Sequence, residues 1–186
     1  MYPVQLVDTT LRDGAQSLWA SAMRIGIIEA VGPDLDQAGF AAVEVPMNPI
    51  FFKKFVRDTQ EDPWEMARVI ARVLPNSIKA CMGGGPPRPD PVTQLLYRRL
   101  AEIGTLNRVQ LVANTADQVA RSFGWVIPFF RSLGFEVVVA LAYTLSPRHT
   151  DAYYAEKARQ VLAFAPDAVY LKDQGGLLTP ERVRTL

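Results

Sequence analysis

Near its start the chain reads Val7-Asp8-Thr9-Thr10-Leu11-Arg12-Asp13-Gly14-Ala15-Gln16-Ser17-Leu18-Trp19-Ala20. Apolar residues at positions 4, 6 and 7 predict that this stretch begins in a buried strand. Arg12, Asp13 and Gln16 then fall within one turn of each other, where that strand is expected to end. Burying a guanidinium, an acid and an amide without partners would cost several kcal/mol. We therefore expect a metal ion and an anionic substrate to satisfy these side chains.

The composition fits one globular domain spanning residues 1–186. The chain is 49% apolar with a formal net charge of +1, which leaves no electrostatic footprint for nucleic acid or an acidic membrane. The single cysteine, Cys81, excludes a disulfide framework and favours a reducing compartment. No apolar run approaches the roughly 18 residues of a membrane span, and no signal peptide is evident. These features predict a cytoplasmic protein.

Short apolar runs alternate with amphipathic segments along the rest of the chain. Asp62-Pro63 and Asp90-Pro91 each place an N-cap residue before a proline at the first helical position. The predicted helices cover 23–38 and 117–133 and also start near 63, 91, 151 and 180. The predicted strands after the first are 41–45, 77–82, 108–112, 135–141 and 168–172.

This alternation predicts right-handed parallel βαβ units in an α/β fold. A repeat of roughly thirty residues is the spacing of a TIM (β/α)8 barrel, of which the chain would supply about six units. An open doubly wound sheet is the second candidate, but no Gly-x-Gly-x-x-Gly follows the first strand. Because six barrel strands leave two open edges, we expect an incomplete barrel from a longer natural chain.

Four motifs stand in order along the chain. They are Asp8-Thr9-Thr10-Leu11-Arg12-Asp13 with 16–20, Glu61-Asp62-Pro63-Trp64, Tyr143-Thr144-Leu145-Ser146-Pro147 with His149-Thr150 and Tyr153-Tyr154, and Lys172-Asp173 with Gly176-Leu177-Leu178-Thr179-Pro180. Together they resemble the DRE-TIM metallolyase (HMGL-like) superfamily. Within it, the nearest resemblance is to the carboxyltransferase domain of pyruvate carboxylase and the oxaloacetate decarboxylase alpha subunit.

The resemblance implies a role for each of five residues. Asp13 would bind the metal, together with Lys172, which is carbamylated in the carboxylase branch. Arg12 would steady the enolate oxygen of the substrate, and Gln16 would contact its keto or carboxylate group. Glu44 matches the acid in the superfamily's name and is the third catalytic candidate. The implied cofactors are a divalent metal (Zn, Mn, Co or Mg) and biotin.

The resemblance also implies the partners, and here the sequence departs from the carboxylase pattern. A 2-oxo acid, a biotin carrier domain or subunit and a homo-oligomeric assembly would be expected. The family's His-x-His ligand pair is absent, since the single histidine, His149, lies in a predicted loop. Gly14-Ala15 replaces the Ala-His of the carboxylases, and residues 82–85 lack their substrate-binding arginine, with Arg88 the nearest substitute.

Three functions remain open at this point. The first is a metal-dependent carboxyltransferase or decarboxylase that acts on a 2-oxo acid through an enolate, with biotin carried elsewhere. The second is a biotin-independent carbon–carbon lyase or synthase of aldol or Claisen type, which the departures favour. The third is an inactive truncated barrel that acts as an assembly partner.

Overall fold

A computed structural model describes residues 4–83 and 90–186, and its strands form one parallel sheet in the order β1-β2-β3-β4-β5-β6. The strands are β1 (Val7–Asp8), β2 (Ala42–Glu44), β3 (Lys79–Met82), β4 (Arg108–Ala113), β5 (Glu136–Ala142) and β6 (Ala168–Lys172). The helices are α1 (Ala15–Trp19), α2 (Ile25–Gln37), α3 (Pro49–Lys54), α4 (Pro63–Val73), α5 (Pro91–Ile103), α6 (Ala116–Ser132), α7 (Asp151–Leu162) and α8 (Pro180–Thr185), with π-helical turns at Thr10–Gly14 and Phe55–Thr59.

Neighbouring strands in the sheet are also neighbours in the chain. A doubly wound sheet would reverse its strand order at a switch point, so that alternative is wrong. Sequential parallel strands with helices between them are the arrangement of a TIM barrel. The predicted incomplete (β/α)8 barrel is therefore confirmed.

The predicted helix starts are confirmed by their capping hydrogen bonds. Asp62 Oδ1 accepts from the backbone N–H of Trp64 at 2.9 Å, and Asp90 Oδ2 accepts from that of Thr93 at 2.9 Å. Each bond satisfies a backbone donor that has no partner inside its helix. A local signal of this kind survives into the fold because it needs only neighbouring residues.

One helix was missed although the same signal precedes it. Asn48 caps α3, and its Oδ1 accepts from the backbone N–H groups of Ile50 and Phe51 at 3.0 and 3.3 Å. Pro49 stands at the first helical position, where its missing N–H costs nothing. The Asn48-Pro49 pair therefore carried the information that Asp62-Pro63 carried for α4.

The prediction that the first strand is buried is wrong. In the structure β1 is two residues long, and Val4, Leu6 and Val7 are 88%, 64% and 46% exposed. Among the described residues β1 pairs only with β2, so it forms an edge of the sheet. Its apolar side chains therefore lack the second layer that covers the strands in the middle.

The hydrophobic core lies between the sheet and its helices. Alternate residues of a strand point to opposite faces, and the outward set packs under α4, α5 and α6. That set includes Val43, Cys81, Val109, Leu111, Val137 and Val139, all in one cluster of buried residues. No helix in the described ranges combines the length and apolarity needed to cross a bilayer.

Close contact between α2 and α4 depends on Gly32, which is buried against Val73. A β-carbon at position 32 would lie 2.8 Å from Val73 Cβ and closer still to one of its methyl groups. Gly32→Ala is therefore expected to lower the free energy of unfolding by about 1–3 kcal/mol, the usual cost of overpacking. The urea midpoint at constant m-value measures this change.

The matched control is Gly26→Ala in the same helix, where an added β-carbon meets nothing within 4 Å. Removing the backbone freedom of this glycine should stabilise the protein by about 0.5–1 kcal/mol. Adding Val73→Ala to Gly32→Ala should make the two losses less than additive, because the clashing methyl groups are gone. Additive losses would show that the contact with Val73 is not the cause.

Candidate active site

Three of the predicted site residues meet at the carboxyl ends of the strands. Arg12 lies in the π-helical turn that follows β1, Glu44 is the last residue of β2, and Lys172 is the last residue of β6. Parallel barrel strands present their carboxyl ends on one face, and these three side chains line one cavity of about 460 Å³. The barrel mouth is therefore the candidate active site.

The cavity is the inner face of the sheet. Its lining adds Val7, Thr9, Ala42, Ala80, Arg108, Gln110, Val138, Ala168 and Tyr170 to the three residues above. A complete barrel fills this space with layers of side chains, whereas here three of the inward residues are alanines and the strands do not close. Arg12, Arg108 and Lys172 against one carboxylate give the lining an excess of positive charge.

Arg12 and Glu44 form a buried ion pair, with 5% and 3% of their surfaces exposed. Arg12 Nε donates to Glu44 Oε2 at 2.8 Å, and Arg12 Nη2 donates to the same oxygen. On its other side, Arg12 Nη1 donates to Asp13 Oδ1 at 2.7 Å. Two carboxylates thus hold the guanidinium from two directions.

Sequence reasoning missed two residues of this site, Gln110 and Tyr170. Gln110 Nε2 donates to Glu44 Oε1, and the Tyr170 hydroxyl donates to Gln110 Oε1 at 2.7 Å. A signal was present for each. Gln110 is a buried amide between Val109 and Leu111, and Tyr170 stands two residues before Lys172, so both point to the same face of β6.

Burial raises the pKa of Tyr170 to about 12, and the negative charge of Glu44 acts in the same direction while Arg12 opposes it. A hydroxyl with this pKa stays protonated at neutral pH. Tyr170 is therefore available as a donor to Gln110 under ordinary conditions.

Of the three polar residues that were expected to need partners on burial, only Arg12 is buried. Protein carboxylates satisfy it, so that part of the expectation is wrong. The Asp13 side chain is 56% exposed. Gln16 is exposed and lines a neighbouring pocket of about 370 Å³ with Lys54 and Met82, outside the lining of the barrel cavity.

The donors for a metal are incomplete in the described ranges. No three His, Cys, Asp or Glu side chains there are close enough to share an ion. Asp13 and Lys172 are the candidates, and Lys172 Nζ has no hydrogen-bond partner within 4–83 and 90–186. His149 Nδ1 lies 2.7 Å from Ser146 Oγ in the loop before α7, and Arg88 lies outside the described residues. These residues do not by themselves fit a complete metal shell.

No family model matches the chain, but individual relatives do. A pyruvate carboxylase subunit of Methanocaldococcus jannaschii is 31% identical over 183 residues, covering 95% of this chain and 32% of that protein. The 4-hydroxy-2-oxovalerate aldolase of Thermus thermophilus is 25% identical over 182 residues, covering 96% of this chain and 49% of the aldolase.

A solved structure gives the same result for the fold. The carboxyl transferase domain of Rhizobium etli pyruvate carboxylase with oxamate and biotin superposes with a TM-score of 0.86 at 25% identity. The match covers 98% of this chain and 32% of that one. The chain thus spans about a third of the carboxylase chains that it matches.

The sequential parallel sheet, the residues gathered at its mouth and these relatives agree with the motif resemblance. The chain belongs to the DRE-TIM metallolyase superfamily, with six strands of a barrel of the carboxyltransferase type.

Proposed function

We propose that this barrel catalyses metal-dependent carboxyl transfer to, or decarboxylation of, a 2-oxo acid through an enolate. Biotin on another domain or subunit would carry the carboxyl group. The observation that carries the proposal is the buried Arg12 guanidinium, held by Glu44 and Asp13 at the mouth of the cavity. The similarity to the archaeal pyruvate carboxylase supports the same reaction class. The cytoplasmic location and the homo-oligomeric assembly stay predictions.

Arg12 is suited to stabilise an enolate oxygen. A guanidinium has five N–H donors, and three of them are bonded to Glu44 and Asp13. Within the described ranges no protein acceptor engages the other two, and the side chain lines the cavity. Because Arg12 is already oriented and almost dry, negative charge that develops on a bound oxygen meets a preorganised cation.

The charge of the cavity fits an anionic substrate. Arg108 is paired with Glu136 at the amino-terminal end of the sheet, at 2.7 Å, and Glu44 is paired with Arg12. Lys172 therefore supplies the unpaired positive charge nearest to the mouth among the described lining residues. In this proposal Gln16 reaches the keto or carboxylate group of the substrate from the neighbouring pocket.

Asp13 and Lys172, the latter as its carbamate, are proposed to contribute two ligands to a divalent ion. The ion would act as a Lewis acid on the substrate carbonyl. The other ligands would come from outside the described residues, and every role assigned to Arg12, Gln16 and Glu44 is independent of which metal is bound.

A biotin-independent lyase is the second candidate function. The aldolase relative favours it, because this chain covers 49% of that enzyme and 32% of the archaeal carboxylase. Gly14-Ala15, where carboxylases carry Ala-His, favours it as well. The same Arg12 would then stabilise the enolate that is formed by carbon–carbon cleavage.

Exchange of labelled carboxyl between oxaloacetate and pyruvate tests the proposal in the full-length protein with its biotin carrier. Exchange that avidin abolishes is the expected result. Avidin-insensitive cleavage of a 4-hydroxy-2-oxo acid would instead establish the lyase. Absence of both activities in protein that also retains no Zn²⁺, Mn²⁺ or Co²⁺ would leave the assembly partner as the function.

A further inference from the structure

We propose that Gln110 and Tyr170 are positioning residues that hold the Glu44–Arg12 pair in a single orientation toward the cavity. The proposal rests on the proposed function only in the step where Arg12 contacts the substrate. The hydrogen-bond chain from Tyr170 through Gln110 and Glu44 to Arg12 is called the relay below. Its members come from β6, β4, β2 and the turn after β1.

Chemistry fixes the direction of the relay. Glu44 is a carboxylate that can only accept, so Gln110 must turn its NH₂ group toward it. The carbonyl oxygen of Gln110 then faces Tyr170, whose hydroxyl must donate, at 2.7 Å. With Oε1 occupied by Gln110, the other oxygen of Glu44, Oε2, receives both Arg12 donors. Every hydrogen bond therefore runs from Tyr170 or Arg12 toward Glu44.

The backbone near Arg12 cannot provide the same precision. Arg12 follows an edge strand of two residues, whose register with β2 consists of Val7 with Ala42 and Asp8 with Val43. The other end of the relay stands on firmer pairing, because β4 and β5 align over six residue pairs and β5 and β6 over five. The relay thus ties a weakly paired edge to the best-paired strands of the sheet.

Burial makes the relay costly to leave incomplete. Gln110 is 8% exposed and Glu44 is 3% exposed. If the Tyr170 hydroxyl is removed, Gln110 Oε1 loses its donor in a nearly dry site, and its amide becomes free to rotate. Glu44 then has two arrangements available to it, and Arg12 follows.

Hydrogen exchange at Arg12 Nε tests the relay without using activity. In the full chain labelled with ¹⁵N, this N–H is identified as the signal that disappears in Arg12→Lys. Tyr170→Phe should raise its exchange rate about fivefold to tenfold, the factor expected for loss of one buried hydrogen bond. Gln110→Met should raise it at least as much, and adding Tyr170→Phe to Gln110→Met should have no further effect.

The matched control is Tyr97→Phe. Tyr97 is fully buried behind β3, and its hydroxyl has no hydrogen-bond partner among the described residues, so the exchange rate should stay within about twofold. An unchanged rate in Tyr170→Phe, or an equal rise in Tyr97→Phe, would overturn the proposal.

The kinetic measurement separates this proposal from the proposed function. In an active protein, Tyr170→Phe should lower kcat about tenfold and leave KM within about twofold, because a displaced Arg12 loses contacts made in the transition state. A structural role alone would change neither constant. If the wild-type protein transfers no carboxyl group, the proposed function fails while the exchange experiment still decides the relay.

Discussion

Asp13→Ala is expected to lower the rate of carboxyl transfer about 10²–10³-fold, the usual loss when one preorganised electrostatic contact is removed. Asp13 receives Arg12 Nη1 at 2.7 Å and is the proposed carboxylate ligand of the metal. Its side chain is 56% exposed, so its removal leaves no buried group unsatisfied. The urea midpoint should therefore stay close to that of the wild-type protein.

The control for this variant is Asp117→Ala. Asp117 is paired with Arg121 at the same distance of 2.7 Å and is 67% exposed, but it lies at the start of α6 and outside the cavity lining. Steady-state kinetics and metal content of both variants decide the outcome. Full activity in Asp13→Ala would refute its role, and equal losses in the two variants would point to a general effect of removing surface charge.

Glu44→Leu is expected to lower the free energy of unfolding by about 3–5 kcal/mol, because it leaves the Arg12 guanidinium buried without its main partner. The Gln110 amide, which also donates to Glu44, loses its acceptor in the same step. Chemical denaturation followed by circular dichroism measures the change.

Two further variants separate the buried pair from ion pairs in general. Glu136→Leu breaks the pair with Arg108, whose partners are 22% and 48% exposed, and it should cost less than about 1 kcal/mol. Arg12→Met combined with Glu44→Leu removes both buried charges and should recover much of the loss. If the double variant is no more stable than Glu44→Leu, the uncompensated guanidinium is not the source of the effect.

Much of the fold could be predicted from the sequence. The sixth strand was predicted with the bounds that it has, 168–172, and the helix starts at 63 and 91 were marked by caps. These features depend on residues close together in the chain, and alternating strands and helices restrict the topology severely. The exposure of Val4 and Leu6 could not be predicted in this way, because an edge strand and a central strand have the same apolar pattern.

The site was less predictable. The motif resemblance selected Arg12, Asp13, Gln16, Glu44 and Lys172, and the structure brings Arg12, Glu44 and Lys172 to one cavity. It places Gln16 at another pocket and leaves Asp13 exposed. The assigned roles of all five stay predictions. Gln110 and Tyr170 were not considered, because no local pattern indicates that two polar residues sixty positions apart are bonded.

The sequence alone determined which segments become strands and helices, and hence the parallel barrel order, since capping and periodicity act over a few residues. Only the tertiary structure decided that Glu44 lies under Arg12, with Gln110 and Tyr170 behind it. The physical reason is that an inward-facing side chain finds its partners on other strands. Those partners depend on the register and curvature of the whole sheet, which no short stretch of sequence specifies.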